Sequence, residues 1–187
     1  MNRVELFETE LKMIADDDLR VFAEYCLNKL PEYFFIMPAS TTGKYHPEYT
    51  LGDGGLVRHT KAAIKIASSL LSLEQYNYYD SDAIIFALLF HDGVKKGYNT
   101  SKYTVVLHPL LAADFIENAL MNYLDKEVNL IYKIAKVTRL IRSHMGEFNV
   151  DYVTGEEVLP KPIEEDEKFV HMCDFLASRK FLNCEVN

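Results

Sequence analysis

Residues 80–92 read DSDAIIFALLFHD, and this stretch decides how the rest of the chain is interpreted. Its first two residues are typical helix caps, and the eight positions that precede the final His91–Asp92 pair are all apolar. A helix that is apolar on every side has to be buried among other elements. The pattern therefore predicts a central helix, with an imidazole and a carboxylate at its end.

Apolar residues recur at helical spacing on both sides of this stretch, which predicts an all-α fold. Residues 2–15 carry Val4, Phe7, Leu11 and Ile14 at that spacing, and Pro109 suits the first position of a later helix. We expect one domain over residues 1–187, with N-terminal helices in 1–36 and a core in 54–182. The predicted helices, about seven, cover roughly 2–15, 16–30, 54–73, 81–91, 109–124, 127–145 and 164–182, with a long loop at 37–55 and a small irregular or hairpin insertion near 146–163.

Composition limits the classes of function. The chain has 187 residues and a formal charge of −8, so bulk attraction to a long nucleic acid is not expected. No secretory signal is recognisable at the N-terminus, and no stretch reaches the roughly 18 uncharged apolar residues that a membrane span needs. Cys26, Cys173 and Cys184 are too scattered for a disulfide framework and indicate reduced, buried thiols. We therefore expect a cytoplasmic protein, and the sequence leaves a homodimer open.

The His91–Asp92 pair needs an explanation, because burying an imidazole beside a carboxylate costs several kcal/mol unless something compensates. A hydrogen bond between the two is one compensation, and a divalent cation that both side chains bind is another. Other helices carry similar residues in apolar surroundings: His59 in GGLVRHT, His108 in HPLLAADF, and His144 in LIRSHMG. Helical bundles build metal sites from such residues on facing helices.

A carboxylate in the last predicted helix completes this set. Asp174 lies in FVHMCDFLASRK, between apolar neighbours on both sides. Nitrogen and carboxylate donors without thiolates suit Mn²⁺, Fe²⁺, Co²⁺, Ni²⁺ or Zn²⁺, and Mg²⁺ is also considered. The sequence therefore predicts one or two divalent metal ions in the middle of the bundle.

The order His59, His91–Asp92, Asp174, with His108 and His144 between the last two, resembles the HD-domain superfamily of metal-dependent phosphohydrolases. The likeness extends over residues 54–182 and is greatest to the HD domain of a bacterial 3′-to-5′ exoribonuclease family. It is carried by GGLVRHT, IRSHMGEF, the loop that ends at Pro162, and HMCD at 171–174. The chain reads HDGVK where many relatives read HDIGK, and its length leaves no room for the OB-type RNA-binding domain of those exonucleases.

The resemblance implies specific roles. His59, His91, Asp92 and Asp174 would hold one metal ion, with Asp92 able to bridge to a second. His108 and His144 would hold that second ion, so a binuclear site is favoured. Asp92 and Lys95 are then the catalytic residues, with Lys95 contacting the scissile phosphate, unless Lys95 is simply a solvated charge after a helix end.

Further residues are candidates for substrate contact. Arg58, Arg142 and His46 could bind phosphate, although His46 could equally be a surface residue of its loop. His171 precedes Asp174 by one helical turn and could orient it or a bound water, or could be a satisfied core histidine. Tyrosines flank the two loops near the predicted metals and could stack on a base; they are Tyr45, Tyr49, Tyr98 and Tyr103.

These observations predict a phosphohydrolase that cleaves a phosphoester of a nucleotide or short oligonucleotide with a metal-activated water. Two alternatives stay open at the level of sequence. Di-iron oxygenases use the same HD scaffold and the same ligand set, so the motif does not separate them from hydrolases. A non-catalytic module that binds a nucleotide or supports an assembly is the other alternative.

Overall fold

The computed structural model describes residues 2–99, 101, 103–123 and 128–182. Within them all regular structure is helical, apart from one isolated β-bridge, and this confirms the predicted all-α bundle. Short 3₁₀ turns cover Glu48–Thr50 and Glu74–Tyr76. The α-helices are α1 (Arg3–Leu6), α2 (Glu8–Leu11), α3 (Asp17–Lys29), α4 (Glu32–Ile36), α5 (Gly55–Leu71), α6 (Ser81–Phe90), α7 (His108–Met121), α8 (Val128–Arg142) and α9 (Glu165–Ala177).

Helix α6 is the centre of the bundle, as the sequence predicts. The Asp80 carboxylate accepts a hydrogen bond from the amide of Ala83 and so caps the helix. Every side chain from Ala83 to Phe90 is at most 2% exposed. Helices α3, α5, α8 and α9 pack around α6, α7 packs on α8, and α5 also packs on α9. The end of α6, where His91 and Asp92 follow, therefore lies inside the protein.

The N-terminal segment differs from the prediction of one helix over residues 2–15. It forms the two short helices α1 and α2, because the backbone leaves helical geometry at Phe7, with φ −113° and ψ 20°. This break turns the Phe7 ring into the core, where it is fully buried and lies 6.2 Å from the ring of Phe34. Leu11 and Ile14 are buried as predicted, so the hydrophobic spacing is correct although the helix is interrupted.

Helix α8 follows its predicted apolar face only in part. The helical spacing within 127–145 predicts an interior face made of Val128, Ile131, Ile134, Ala135, Val137, Thr138 and Ile141. Ile134, Val137, Thr138 and Ile141 are buried, but Val128, Ile131 and Ala135 are exposed, so the prediction is wrong for these three residues. In the first turn Leu130 is the residue that enters the core, because the helix turns a different face inward than the pattern predicts.

The insertion at residues 146–163 is an irregular loop with one antiparallel bridge between Val150 and Glu157. Asn149, which is 1% exposed, holds the base of the loop: its side chain donates to the carbonyl of Leu159, and its own carbonyl accepts from the amide of Val158. The loop is thus anchored where it leaves and rejoins the bundle. Among the described residues no helix has the length and apolarity that a bilayer crossing requires.

We expect Leu88→Ala to lower the free energy of unfolding by about 2–5 kcal/mol, because Leu88 is fully buried in α6 and its truncation leaves a cavity. Urea denaturation followed by circular dichroism measures the change. Val21→Ala on α3 is the control, since Val21 is 48% exposed and its change should stay within about 0.5 kcal/mol. Similar losses for the two variants would contradict the central position of α6.

Candidate metal centre

Five parts of the chain bring the six predicted ligands to one place. His59 lies in α5, His91 and Asp92 directly follow α6, and His108 begins α7. The other two come from the second half of the bundle: His144 follows α8 by two residues, and Asp174 lies in α9. All except Asp174 are at most 2% exposed.

The ligand atoms form two groups that can hold metal ions. His59, His91 and Asp174 form one, and His91, Asp92 and His144 form the other, with the donor atoms of each group within 4.8 Å of one another. In the first group, Nε2 of His59 lies 2.9 Å and Nε2 of His91 lies 3.4 Å from Oδ1 of Asp174. Both groups include His91, whose single free nitrogen, Nε2, can bind only one ion, so the two groups overlap and are not two complete ligand sets.

The carboxylate of Asp92 lies between the histidines of the cluster. Its Oδ2 is 3.5 Å from Nε2 of His91 and 3.8 Å from Nε2 of His59, whereas its Oδ1 is 3.1 Å from Nε2 of His108. Two oxygens that face different histidines fit the bridging role that the resemblance implies for Asp92.

The same kind of hydrogen bond to the backbone orients three of the histidines. In His91, His108 and His144, Nδ1–H donates to the carbonyl three residues earlier, over 2.7–2.8 Å. This bond fixes the tautomer with the lone pair on Nε2, which is the arrangement of histidines that bind metals. Within the described part of the chain, the buried Nε2 atoms of His91 and His144 accept no hydrogen bond. The donor set therefore fits a divalent cation.

Charge in the cluster also favours a cation. Burial raises the pKa of Asp92, but the charge of the adjacent Lys95 ammonium outweighs it and holds that pKa well below its usual range. Burial likewise raises the pKa of Asp174, and its contacts with His59 and His91 reverse the direction. Both carboxylates are thus anionic. Burial, together with nearby His91, lowers the pKa of His144 to about 3, so this imidazole is neutral and able to bind a metal.

Lys95 faces the cluster. Its Nζ lies 2.5 Å from Oδ2 of Asp92, and the residue is only 8% exposed. The segment from His91 to Asn99 consists of consecutive turns instead of a continued helix, and the amide of Lys95 donates to the carbonyl of Asp92. The sequence alternative of a solvated lysine is therefore wrong, because this ammonium is buried beside a ligand-type carboxylate.

The cluster opens into a cavity of about 570 Å³, which is within the usual size range of small-molecule sites. Its lining combines metal-ligand candidates with aromatic and basic side chains. The lining residues are Tyr45, His46, His59, Asp92, Lys95, Thr104, His108, His144, Met145, Phe148, Tyr152, His171, Asp174, Phe175, Ser178 and Arg179.

His46 lies in the wall of this cavity, and so is not a surface residue of its loop. It is half-buried, and its ring centroid is 5.6 Å from that of His59. Burial, followed by the nearby charges of His59 and Lys95, lowers the pKa of His46 to about 4. Its neutral imidazole faces the space that a substrate would occupy, which agrees with the predicted substrate contact.

Arg58 and Arg142 have structural partners and are absent from the cavity lining. Arg58 donates to the backbone carbonyls of Tyr49 and Leu51 and so holds the long loop before α5. Arg142 donates to both carboxylate oxygens of Glu117 over 2.9 Å, which joins α8 to α7. Their prediction as phosphate contacts is therefore wrong. From the sequence alone, an arginine that lines a cavity cannot be distinguished from one that donates to backbone carbonyls or to carboxylates.

His171 supports the cluster through His144 instead of through Asp174. Its Nδ1–H donates to the backbone carbonyl of His144 over 2.7 Å, and its Nε2 lies 3.3 Å from the carboxylate of Glu147. The ring packs against Gly146, which has φ +59°, and a Cβ there would lie 2.3 Å from it. A glycine is thus required for this approach, and His171 fixes the turn that presents His144.

Phe148, Phe175 and Arg179 also line the cavity, and the sequence did not point to them. Of the four tyrosines considered for stacking, only Tyr45 is part of the lining among the described residues. Phe175 and Arg179 follow Asp174 by one and five residues, which are not the spacings of three and four that place helical side chains on one face, so helical periodicity could not have identified them.

Comparisons with protein-family models, curated proteins and solved structures gave no match for this chain. The interpretation of the site therefore depends on its own geometry.

We expect Mn²⁺ or Zn²⁺ to raise the thermal midpoint of the chelator-treated protein, because a ligand that binds only the folded state stabilises it by about 2.7 kcal/mol at 100 times its Kd. The increase should disappear in His91→Ala and Asp174→Ala. Asp18→Ala is the control, since this carboxylate is exposed in the first turn of α3. Equal increases in wild type and His91→Ala, measured by differential scanning fluorimetry, would contradict the site.

Proposed function

We propose that the chain is a metal-dependent phosphohydrolase of the HD type that cleaves a phosphoester of a nucleotide or short oligonucleotide. One observation carries this proposal: a buried carboxylate, a partly buried carboxylate and four histidines form one cluster beside a cavity that a buried lysine also lines. A structural hydrogen-bond network would have satisfied the Nε2 atoms of His91 and His144, and within the described residues it does not.

His59, His91, Asp92 and Asp174 would hold one divalent cation, and His108 and His144, together with Asp92, would hold a second. A bound divalent cation supplies a Lewis acid that lowers the pKa of water and neutralises charge on a phosphoryl oxygen. The chain's own contribution is orientation, because backbone hydrogen bonds hold the imidazoles before any ligand arrives.

Lys95 supports phosphate chemistry in particular. A buried ammonium that lines the cavity stabilises the charge that develops on a transferring phosphoryl group. It is held next to Asp92, so it also offsets the negative charge of that carboxylate while the substrate is absent. A site for an uncharged substrate would have no comparable need for a cation at this position.

The charge of the cavity supports a small anionic substrate. The chain has a net charge of −8, and in the cavity lining the cations Lys95 and Arg179 balance the carboxylates Asp92 and Asp174. Divalent cations held by the cluster would therefore make the cavity positive and attract a phosphate group, although the overall charge disfavours a long polyanion. The free, buried thiols of Cys26 and Cys173 are consistent with the expected cytoplasmic location, because such thiols persist in a reducing compartment.

The decisive assay is a panel of nucleotides, cyclic nucleotides, dinucleotides and short oligonucleotides with Mn²⁺, Co²⁺, Ni²⁺, Fe²⁺ or Mg²⁺. We expect metal-dependent ester cleavage that is lost in Asp92→Ala and retained in Asp18→Ala. Activity with iron only, with O₂ uptake and no ester cleavage, would favour the di-iron oxygenase. Nucleotide binding without turnover, unaffected by Asp92→Ala, would favour a binding module.

We expect Lys95→Met to reduce kcat by roughly 10²–10³-fold, the usual cost of removing a donor that stabilises charge in the transition state. Metal binding, measured by isothermal titration, should persist because Lys95 is not a ligand. Lys12→Met on the surface is the control, since the Lys12 side chain is 71% exposed. Unchanged kcat in Lys95→Met would contradict the assigned role.

A further inference from the structure

Part of the cavity lining is aromatic. The rings of Phe148 and Phe175 are nearly parallel, with 10° between their planes and 6.3 Å between their centroids. Phe148 is 39% exposed, whereas Phe86 and Phe90 of the core are fully buried. Packing in the core therefore does not explain why a phenylalanine lies at position 148. Its ring instead forms part of the lining of the cavity, which also contains charged residues.

This aromatic wall, Phe148 with Phe175, is tied closely to the cluster. Phe175 is adjacent to Asp174 in α9, and Phe148 follows His144 by four residues, a stretch of at most about 14 Å of chain. The loop that carries Phe148 is anchored through Asn149. A ligand can therefore contact the cluster and the wall at the same time, if it has an anionic end and a planar end.

Arg179 adds hydrogen-bond donors beside the wall. Its guanidinium carbon lies 3.7 Å from the centroid of the Phe175 ring and 5.7 Å from that of Tyr45. Its Nε donates to the carbonyl of Phe175, which fixes the group at the end of α9. A guanidinium has donors only, so it suits the carbonyl oxygens and ring nitrogens of a heteroaromatic ring.

We infer that the exposed ring of Phe148, supported by Phe175, forms with the guanidinium of Arg179 a subsite for the planar base of the substrate, which makes the protein selective for nucleoside phosphates over sugar phosphates. The inference depends on the proposed function only for the phosphate group of the substrate, because the base subsite is argued from the aromatic wall and Arg179. Stacking on aromatic side chains is available to every base, so the subsite recognises a base without specifying which. A cavity of about 570 Å³ suits one nucleotide unit, not a strand.

The test uses the full chain with the most effective metal ion, and compares kcat/KM for the four common nucleoside 5′-monophosphates with that for ribose 5-phosphate. Phe148→Leu should lower the ratio of the best nucleotide to ribose 5-phosphate about tenfold, because it removes one stacking ring and stays apolar. Arg179→Met, which removes the hydrogen-bond donors of the guanidinium, should also lower this ratio. Phe181→Leu is the matched control: Phe181 is 77% exposed, is absent from the cavity lining, and should leave the ratio unchanged.

A second arm is independent of turnover. Isothermal titration of the four unphosphorylated nucleosides should show binding to wild type and to Phe181→Leu, and roughly tenfold weaker binding to Phe148→Leu, with circular dichroism confirming that each variant is folded. Equal ratios and equal nucleoside binding in wild type and Phe148→Leu would overturn the subsite while leaving the phosphohydrolase intact. Nucleoside binding that is lost in Phe148→Leu, without hydrolysis of any ester, would keep the subsite and overturn the proposed function.

Discussion

The buried carboxylate of Asp92 is the constraint on which the arrangement of the bundle depends. An anion that is 2% exposed is tolerated only if partners surround it, and here Lys95, His91 and His108 do so within 3.5 Å. Those partners belong to the end of α6, the turns that follow, and the start of α7. The contacts of this one carboxylate therefore join the end of α6 to the start of α7.

His91 and His144 lie just beyond helix ends, where backbone carbonyls can accept hydrogen bonds from their imidazoles. The last carbonyls of a helix have no intrahelical partner, and His91 and His144 each donate to one of them, in α6 and α8. Each hydrogen bond uses a carbonyl at the helix end and turns Nε2 of the histidine toward the other ligand-type residues. His171 donates in turn to the backbone carbonyl of His144. The hydrogen bonds at the ends of α6 and α8 therefore also orient the histidines of the candidate metal centre.

The sequence predicts the parts of this structure that have strong physical signatures. Eight consecutive apolar positions require a buried helix, and an adjacent His91–Asp92 pair requires compensation, so α6 and the cluster around it were foreseeable. The break at Phe7 was not, because it depends on where one ring packs in the core. The partners of Arg58 and Arg142 were also unpredictable, since a long basic side chain reaches carbonyls, carboxylates or a cavity equally well.

The two sides of the cavity come from parts of the chain under different constraints. The ligand side is fixed by the packing of helices, so a change in His91 or Asp92 would disturb buried charge and the bundle together. The wall depends partly on Phe148, in a loop held mainly through Asn149 and the close approach of Gly146 to His171. A substitution of Phe148 changes the lining of the cavity only, whereas a side chain at Gly146 would displace His171, which donates to the carbonyl of His144. The aromatic wall and the ligand-type cluster can therefore be altered separately at Phe148, although both line one cavity.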